Sequence, residues 1–149
     1  MRIVDTVGAV LKHKGSKVWT IATDATVFEA IRLMAEKNIG ALLVTDGGKL
    51  EGVFSERDYT RKVALHGRSS KDTLVNEVIS DRVIAATPED TIEACMRLMT
   101  ENRIRHLPVL EGGQVIGLVS IGDLVNWVIS AQDVAIGQLE SYITGAYPG

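Results

Sequence analysis

The sequence predicts an α+β fold in which two copies of one β-α-β-β-α unit pack as a single body. Three observations carry this. Shifted by about 65 residues, Thr26 to Val63 superpose on Thr91 to Val128 without a gap. Identities such as Arg32/Arg97, Met34/Met99, Gly52/Gly117, Ser55/Ser120 and Asp58/Asp123 fall in every part of the unit. Helical and strand periodicities recur in the same order in both copies. Finally, 149 residues with 46% hydrophobic content can fill one ordinary core, whereas a unit of half that size would leave too much apolar surface in water.

The elements follow in order. A short helix comes first, because Val7, Val10 and Leu11 recur as Val75, Val78 and Ile79 at a shift of about 68 residues. Residues 18–22 and 83–86 are β-prone runs closed by Thr23-Asp24 and Thr87-Pro88-Glu89, so each predicts a strand. Thr26 and Thr91 stand as N-caps of amphipathic helices that carry Val27, Ala30, Ile31 and Met34, and Ile92, Cys95, Met96 and Met99. Two apolar runs then flank Asp46-Gly47-Gly48 and Glu111-Gly112-Gly113, where glycines free to take positive φ predict hairpins. A second helix follows at once, over residues 56–66 and 121–130. The organisation is a first repeat over 6–66, a polar linker over 67–73, a second repeat over 74–130, and a peripheral helix and tail over 131–149.

Composition narrows the function. With 16 Lys+Arg against 19 Asp+Glu the formal charge is -3, which offers no broad surface for nucleic acid. One cysteine, Cys95, makes no internal disulfide, and one thiol with three histidines supports no metal site. A reducing cytoplasm is expected, and the N-terminal stretch and the absence of a long apolar run predict neither a signal peptide nor a membrane span. Cys95 sits on an apolar helix face, so core packing outweighs nucleophilic chemistry, and no nucleophile-base pair can be assembled: the protein is not expected to be an enzyme. His13 and His66 are expected to be solvated.

Two places could carry ligand chemistry. Ser55-Glu56-Arg57-Asp58 and Ser120-Ile121-Gly122-Asp123 stand where a strand ends and a helix begins. Unpaired N–H groups there suit phosphate, and a carboxylate can accept two hydrogen bonds from a ribose diol. The same Ser-x-x-Asp spacing equally describes a capping box, in which serine and acid satisfy the helix's own N–H groups. The second place is Arg103-Ile104-Arg105-His106-Leu107-Pro108-Val109. Its charges suit a helix C-terminus, yet the matching stretch from Asn38 to Val44 has none of them, which favours a phosphate contact.

As a set, "IGALLVTDGGKLEGVFSERDY" and "RIRHLPVLEGGQVIGLVSIGDL" resemble a tandem pair of CBS domains, the Bateman module, over residues 6 to about 129. The chain is similar to small stand-alone bacterial proteins made of little more than this pair. The resemblance implies two repeats related by pseudo-twofold symmetry, with two clefts between them. Cleft one would join Ser55, Arg57 and Asp58 to Ile84, Thr87, Arg105 and His106. Cleft two would join Ser120 and Asp123 to Trp19, Thr20, Ala22, Gly40 and Ala41. Ala22 matches Thr87, Gly122 matches Arg57, and Gly40-Ala41 match Arg105-His106, so phosphate should prefer cleft one.

The resemblance also implies a regulatory ligand in place of a catalytic cofactor: an adenine nucleotide (AMP, ADP or ATP), NAD or S-adenosylmethionine. It implies a homodimer formed through helix faces, for which Tyr59, Val63, Trp127 and Val128 are the outward candidates, and a regulated protein the sequence does not identify. The alternative is a dimerising interaction protein whose clefts are vestigial.

Overall fold

The computed structural model describes residues 5–15, 17–80 and 82–131. Helix α1 (Val7–Lys14) leads into a three-stranded sheet of β1 (Thr20–Ala22), β2 (Ala41–Asp46) and β3 (Lys49–Ser55), with α2 (Val27–Lys37) between β1 and β2. β1 runs parallel to β2, and β2 and β3 form an antiparallel hairpin. The second repeat carries α4 (Ile92–Asn102) and the hairpin β4 (His106–Glu111) and β5 (Gln114–Ser120), followed by α5 over residues 121–131. Both hairpin turns place two glycines at positive φ, 58° and 85° at Gly47-Gly48 and 58° and 80° at Gly112-Gly113. That is the turn whose twist matches two flanking strands.

Three elements differ from expectation. The predicted strand over 83–86 shrinks to one parallel bridge, in which the Ala86 N–H donates to the Pro108 carbonyl and the Leu110 N–H to the Ala86 carbonyl. The cause is Pro108. In the first repeat the Leu43 N–H donates to the Trp19 carbonyl and extends the pairing; Pro108 occupies the matching position and has no N–H to give Ile84. The second helix of the first repeat is one α turn, α3 (Glu56–Asp58), that widens into a π-helix over Tyr59–Ala64. Val75, Val78 and Ile79 frame a 3₁₀ turn (Val75–Glu77), shorter than its counterpart α1. The predicted helix bearing Val134, Leu139, Tyr142 and Ile143 lies outside the described residues.

The core is two clusters, and each is completed by a segment from the other end of the fold. Val7, Val10 and Leu11 of α1 pack with Ile92, Cys95, Met99, Leu107, Val109, Val119 and Leu124. Val75, Val78 and Ile79 pack with Val27, Ala30, Met34, Leu42, Val44, Phe54 and Val63. Backbone bonds repeat the exchange: Val7 N–H to Asp90 and Ile92 N–H to Asp5 in one half, Val75 N–H to Ala25 and Val27 N–H to Thr73 in the other. Val63 is therefore core, a correction to its expected outward position, and Tyr59, Trp127 and Val128 are partly buried against the clusters. These residues form the inward stripe of their helices; Leu65, Val125 and Ile129 point outward. His13 is exposed but meets the Trp127 ring edge-on at 5.9 Å.

Candidate functional site

Each Ser-x-x-Asp forms a full capping box. Ser55 Oγ accepts from the Asp58 N–H at 3.2 Å, and Asp58 Oδ2 accepts from the Ser55 N–H and hydroxyl, both at 2.9 Å. In the second copy Ser120 Oγ accepts from the Asp123 N–H at 3.1 Å and Asp123 Oδ2 from the Ser120 N–H at 2.8 Å. Capping consumes one oxygen of each carboxylate. Asp58 Oδ1 faces Lys62 Nζ at 3.4 Å.

The end of β3 and the α3 turn form one wall of a cavity of about 600 Å³, within the range that holds a small ligand. The opposite wall is residues 82–84 and 102–106. Residues 83–85, left without strand partners beside Pro108, run along this wall, where Val83 and Ile84 line the cavity. Of the residues assigned to cleft one, Ser55, Arg57, Asp58, Ile84, Arg105 and His106 line this cavity. Thr87 does not: it is exposed in the turn before α4, where its N–H donates to Asp90 Oδ2 at 2.8 Å. Gly40, assigned to cleft two, lines the same cavity. A Cβ there would stand 3.6 Å from His106 Nε2, in ordinary contact with the imidazole.

Four further basic residues reach the cavity: Arg61, Lys62, Arg82 and Arg103. Arg61 and Lys62 follow Arg57 and Asp58 by four positions on one helix, a spacing legible in the sequence. Arg103 is the left-handed C-cap of α4, at φ 54°. With Arg57 and Arg105 these make six permanent cations against two carboxylates, Glu56 and Asp58, in a chain whose formal charge is -3. Partial desolvation and the neighbouring Arg61, Arg105 and Arg103 lower the pKa of Arg57. Burial, Lys14 and Arg105 lower that of His106 against the opposing pull of Asp123 and Asp58. Burial thus disfavours the imidazolium, while the two carboxylates favour it.

The residues assigned to cleft two are arranged differently. Asp123 Oδ2 is taken by Lys14 Nζ at 2.6 Å, and the same ammonium donates to the Leu118 carbonyl at 2.8 Å. Burial works to raise the Asp123 pKa, but the bonds from Lys14 and Ser120 outweigh it and hold the carboxyl below its usual range. Trp19 is flanked by Lys17 and Lys37, whose ammonium groups lie 4.8 and 4.4 Å from its ring. Thr20 and Ala22 are exposed on β1, and Ala41 is buried opposite Ser55. A second cavity, of about 380 Å³, lies between Lys62, His66, Arg68 and Glu77 and includes none of these residues. Among the described residues no helix is long and apolar enough to cross a membrane, and no group of three His, Cys, Asp or Glu side chains is placed to hold a metal.

Comparison with known proteins places this geometry. The family model "CBS domain" matches residues 7–65 and again 75–130. A mitochondrial CBS domain-containing protein of Arabidopsis thaliana, CBSX3, is 41% identical over 152 aligned positions, covering 95% of this chain and 73% of its own. A candidate signal-transduction protein with CBS domains from Burkholderia ambifaria is 52% identical and superposes with a TM-score of 0.81, over 85% of this chain and 96% of its own. A hexameric CBS-CP12 protein from bloom-forming cyanobacteria is 30% identical with a TM-score of 0.74, over 83% and 68%.

Proposed function

The chain belongs to the CBS-domain family of regulatory, ligand-sensing modules, and from that premise we propose that its first cleft binds the phosphate-bearing end of an adenosine ligand. The candidates are AMP, ADP, ATP and NAD. Occupancy would bias the packing of the two repeats, because the cavity is walled by both, and a partner protein would read that bias without any catalysis. The observation that carries the proposal is the excess of guanidinium and ammonium groups around an open cavity in an acidic chain. Guanidinium groups hold phosphate through paired, charge-assisted hydrogen bonds. Asp58 Oδ1, not used in capping, is the acceptor for a ribose diol. The buried free thiol of Cys95 suits a reducing compartment such as the cytoplasm, although the Arabidopsis relative is mitochondrial.

The test is a thermal-shift screen over AMP, ADP, ATP, NAD, S-adenosylmethionine and adenosine. A ligand that binds only the folded chain at a hundred times its Kd stabilises it by about 2.7 kcal/mol. Nucleotides should raise the melting temperature more than adenosine does, and Arg105→Ala should erase that difference, most strongly at low salt. A flat response to every phosphate-bearing ligand overturns the proposal. One observation favours the second reading, a dimerising interaction protein: Leu65, Val125 and Ile129 are exposed, Leu65 by 76%. Homodimer formation in light scattering with a flat ligand response would select it.

A further inference from the structure

The described arginines differ in their partners. Those outside the first cavity are each paired with a glutamate: Arg32 with Glu36 at 3.7 Å, Arg68 with Glu77 at 2.7 Å and Arg97 with Glu93 at 3.1 Å. Arg57, Arg61, Arg103 and Arg105 line the cavity, and among the described residues none of them pairs with a carboxylate. They are also close enough to repel one another. Partial desolvation, and after it the charges of Arg61, Arg105 and Arg103, lower the pKa of Arg57, with Asp58 opposing.

The fold does not require this charge. At the gapless shift that relates Ser55 to Ser120, the four arginines correspond to Gly122, Asn126, Asn38 and Gly40. Arg103 and Asn38 even share one left-handed backbone conformation, φ 54°. The same junctions are thus built twice, once with four guanidinium groups and once with none, so neither capping nor a helix terminus accounts for them. A ligand does, and the number of groups says how highly charged it is. A terminal phosphate carries about 1.5–2 negative charges, and Arg57 and Arg105, from opposite walls, are enough to hold it through paired hydrogen bonds. Arg61 follows Arg57 by four positions along the helical segment, and Arg103 precedes Arg105 by two on the facing wall. A second pair of guanidinium groups therefore continues the first.

We propose that the first cavity selects its ligand by the length of the phosphate chain: Arg57 and Arg105 hold the phosphate next to the ribose, and Arg61 and Arg103 hold the phosphates beyond it, so that a triphosphate is preferred to a monophosphate. Arg61 and Arg103 are then the residues that determine specificity. The proposal rests on the nucleotide reading of this cavity, so the experiment separates the two. An oligophosphate chain is offered both by a nucleoside triphosphate and by inorganic tripolyphosphate, and only the nucleotide brings a ribose to Asp58.

The test is calorimetric titration of the full chain, without magnesium, with AMP, ADP, ATP and inorganic tripolyphosphate. A charge-assisted hydrogen bond corresponds to roughly ten- to a hundredfold in affinity. Affinity should rise with each phosphate, and ATP should bind at least about tenfold more tightly than AMP. The double variant Arg61→Asn, Arg103→Asn puts at each place the residue the fold carries at the equivalent one, and should bring ATP within a few-fold of AMP. Arg97→Gln, which removes a paired arginine outside the cavity, should leave the gap in place. AMP as tight as ATP in the wild type upholds the nucleotide reading and overturns this proposal. A gap that survives in the double variant, or that shrinks equally in Arg97→Gln, also overturns it. Tripolyphosphate as tight as ATP upholds the selection by chain length and overturns the adenosine reading; no binding of any of the four overturns both. The wild-type series decides by itself if the double variant melts early.

Discussion

Arg103 holds a conformation that few side chains accept. It caps α4 at φ 54° with left-handed backbone, as Asn38 does at the matching place after α2. Asparagine tolerates that region, whereas a long side chain there costs roughly 1–2 kcal/mol. The arginine lines the cavity, so a local cost coincides with a cation where phosphate is proposed to bind. Arg103→Asn should therefore stabilise the fold by about 0.5–1 kcal/mol while weakening ATP binding about tenfold or more, the loss expected for a charge-assisted bond. Parallel urea and calorimetric titrations check both signs, and a destabilised variant would mean the backbone is not strained.

His106 supplies the pH dependence at the same scale. Burial together with Lys14 and Arg105 puts its folded-state pKa below the unfolded 6.5, against Asp123 and Asp58. Below pH 6.5 the unfolded chain binds this proton more readily than the folded one. Its contribution to stability is therefore complete above 6.5 and lost as pH falls toward the folded pKa. A bound phosphate reverses the balance by favouring imidazolium. ATP binding should take up protons between pH 7.5 and 6, seen as heats that vary with buffer ionisation, and His106→Gln should abolish that uptake.

Among the elements, glycine decides how closely a crossing segment approaches a sheet. A Cβ built on Gly117 of β5 would lie 2.6 Å from a methyl of Leu11, and one on Gly52 of β3 would lie 3.2 Å from Ile79. Leu11 is 5% exposed and has no room to turn away. Gly117→Ala should destabilise by about 1–3 kcal/mol through overpacking. Leu11→Ala alone should also destabilise, by roughly 2–5 kcal/mol. The double variant should be more stable than the sum of the two predicts, since the added methyl occupies space the leucine vacates; strict additivity would show that the two residues do not share that space.

Those glycines also show what the sequence could reveal. The identity Gly52/Gly117 was visible as a repeat, but which segment fills the space was not, because Leu11 lies about a hundred residues from its partner and periodicity reports only local structure. The hairpins, N-caps and amphipathic helices were legible for that reason: each is fixed by residues within a turn of one another. The strand over 83–86 failed on a residue in another element, Pro108, whose missing donor could be recognised only once Leu43 and Trp19 were seen to be bonded. In the site, Ser55, Asp58 and Arg105 followed from motif and asymmetry. Arg82 in the cavity and the Lys14–Asp123 contact needed coordinates, because each joins segments far apart in the chain.

At the scale of the whole molecule, the exchange of segments makes the repeats interdependent. The first cluster depends on Val75 and Val78, the second on Val7, Val10 and Leu11, all nearly or fully buried. Burying three such side chains is worth roughly 5–9 kcal/mol, comparable with the entire stability of a domain of this size. Neither repeat can then keep its core after the other opens, and the molecule should unfold in one step. The chain carries its own reporters, since its two tryptophans divide between the halves: Trp19 packs against the first cluster and Trp127 against the second. In Trp127→Phe the remaining fluorescence reports the first repeat, and in Trp19→Phe the second. Within each variant the urea midpoint by fluorescence should coincide with that by far-UV circular dichroism, the mark of a two-state transition. ATP should raise both midpoints together, because a ligand walled by both repeats stabilises the state in which both are folded. A fluorescence transition preceding the loss of helix in either variant, or a ligand shift confined to one tryptophan, would show that the repeats open separately.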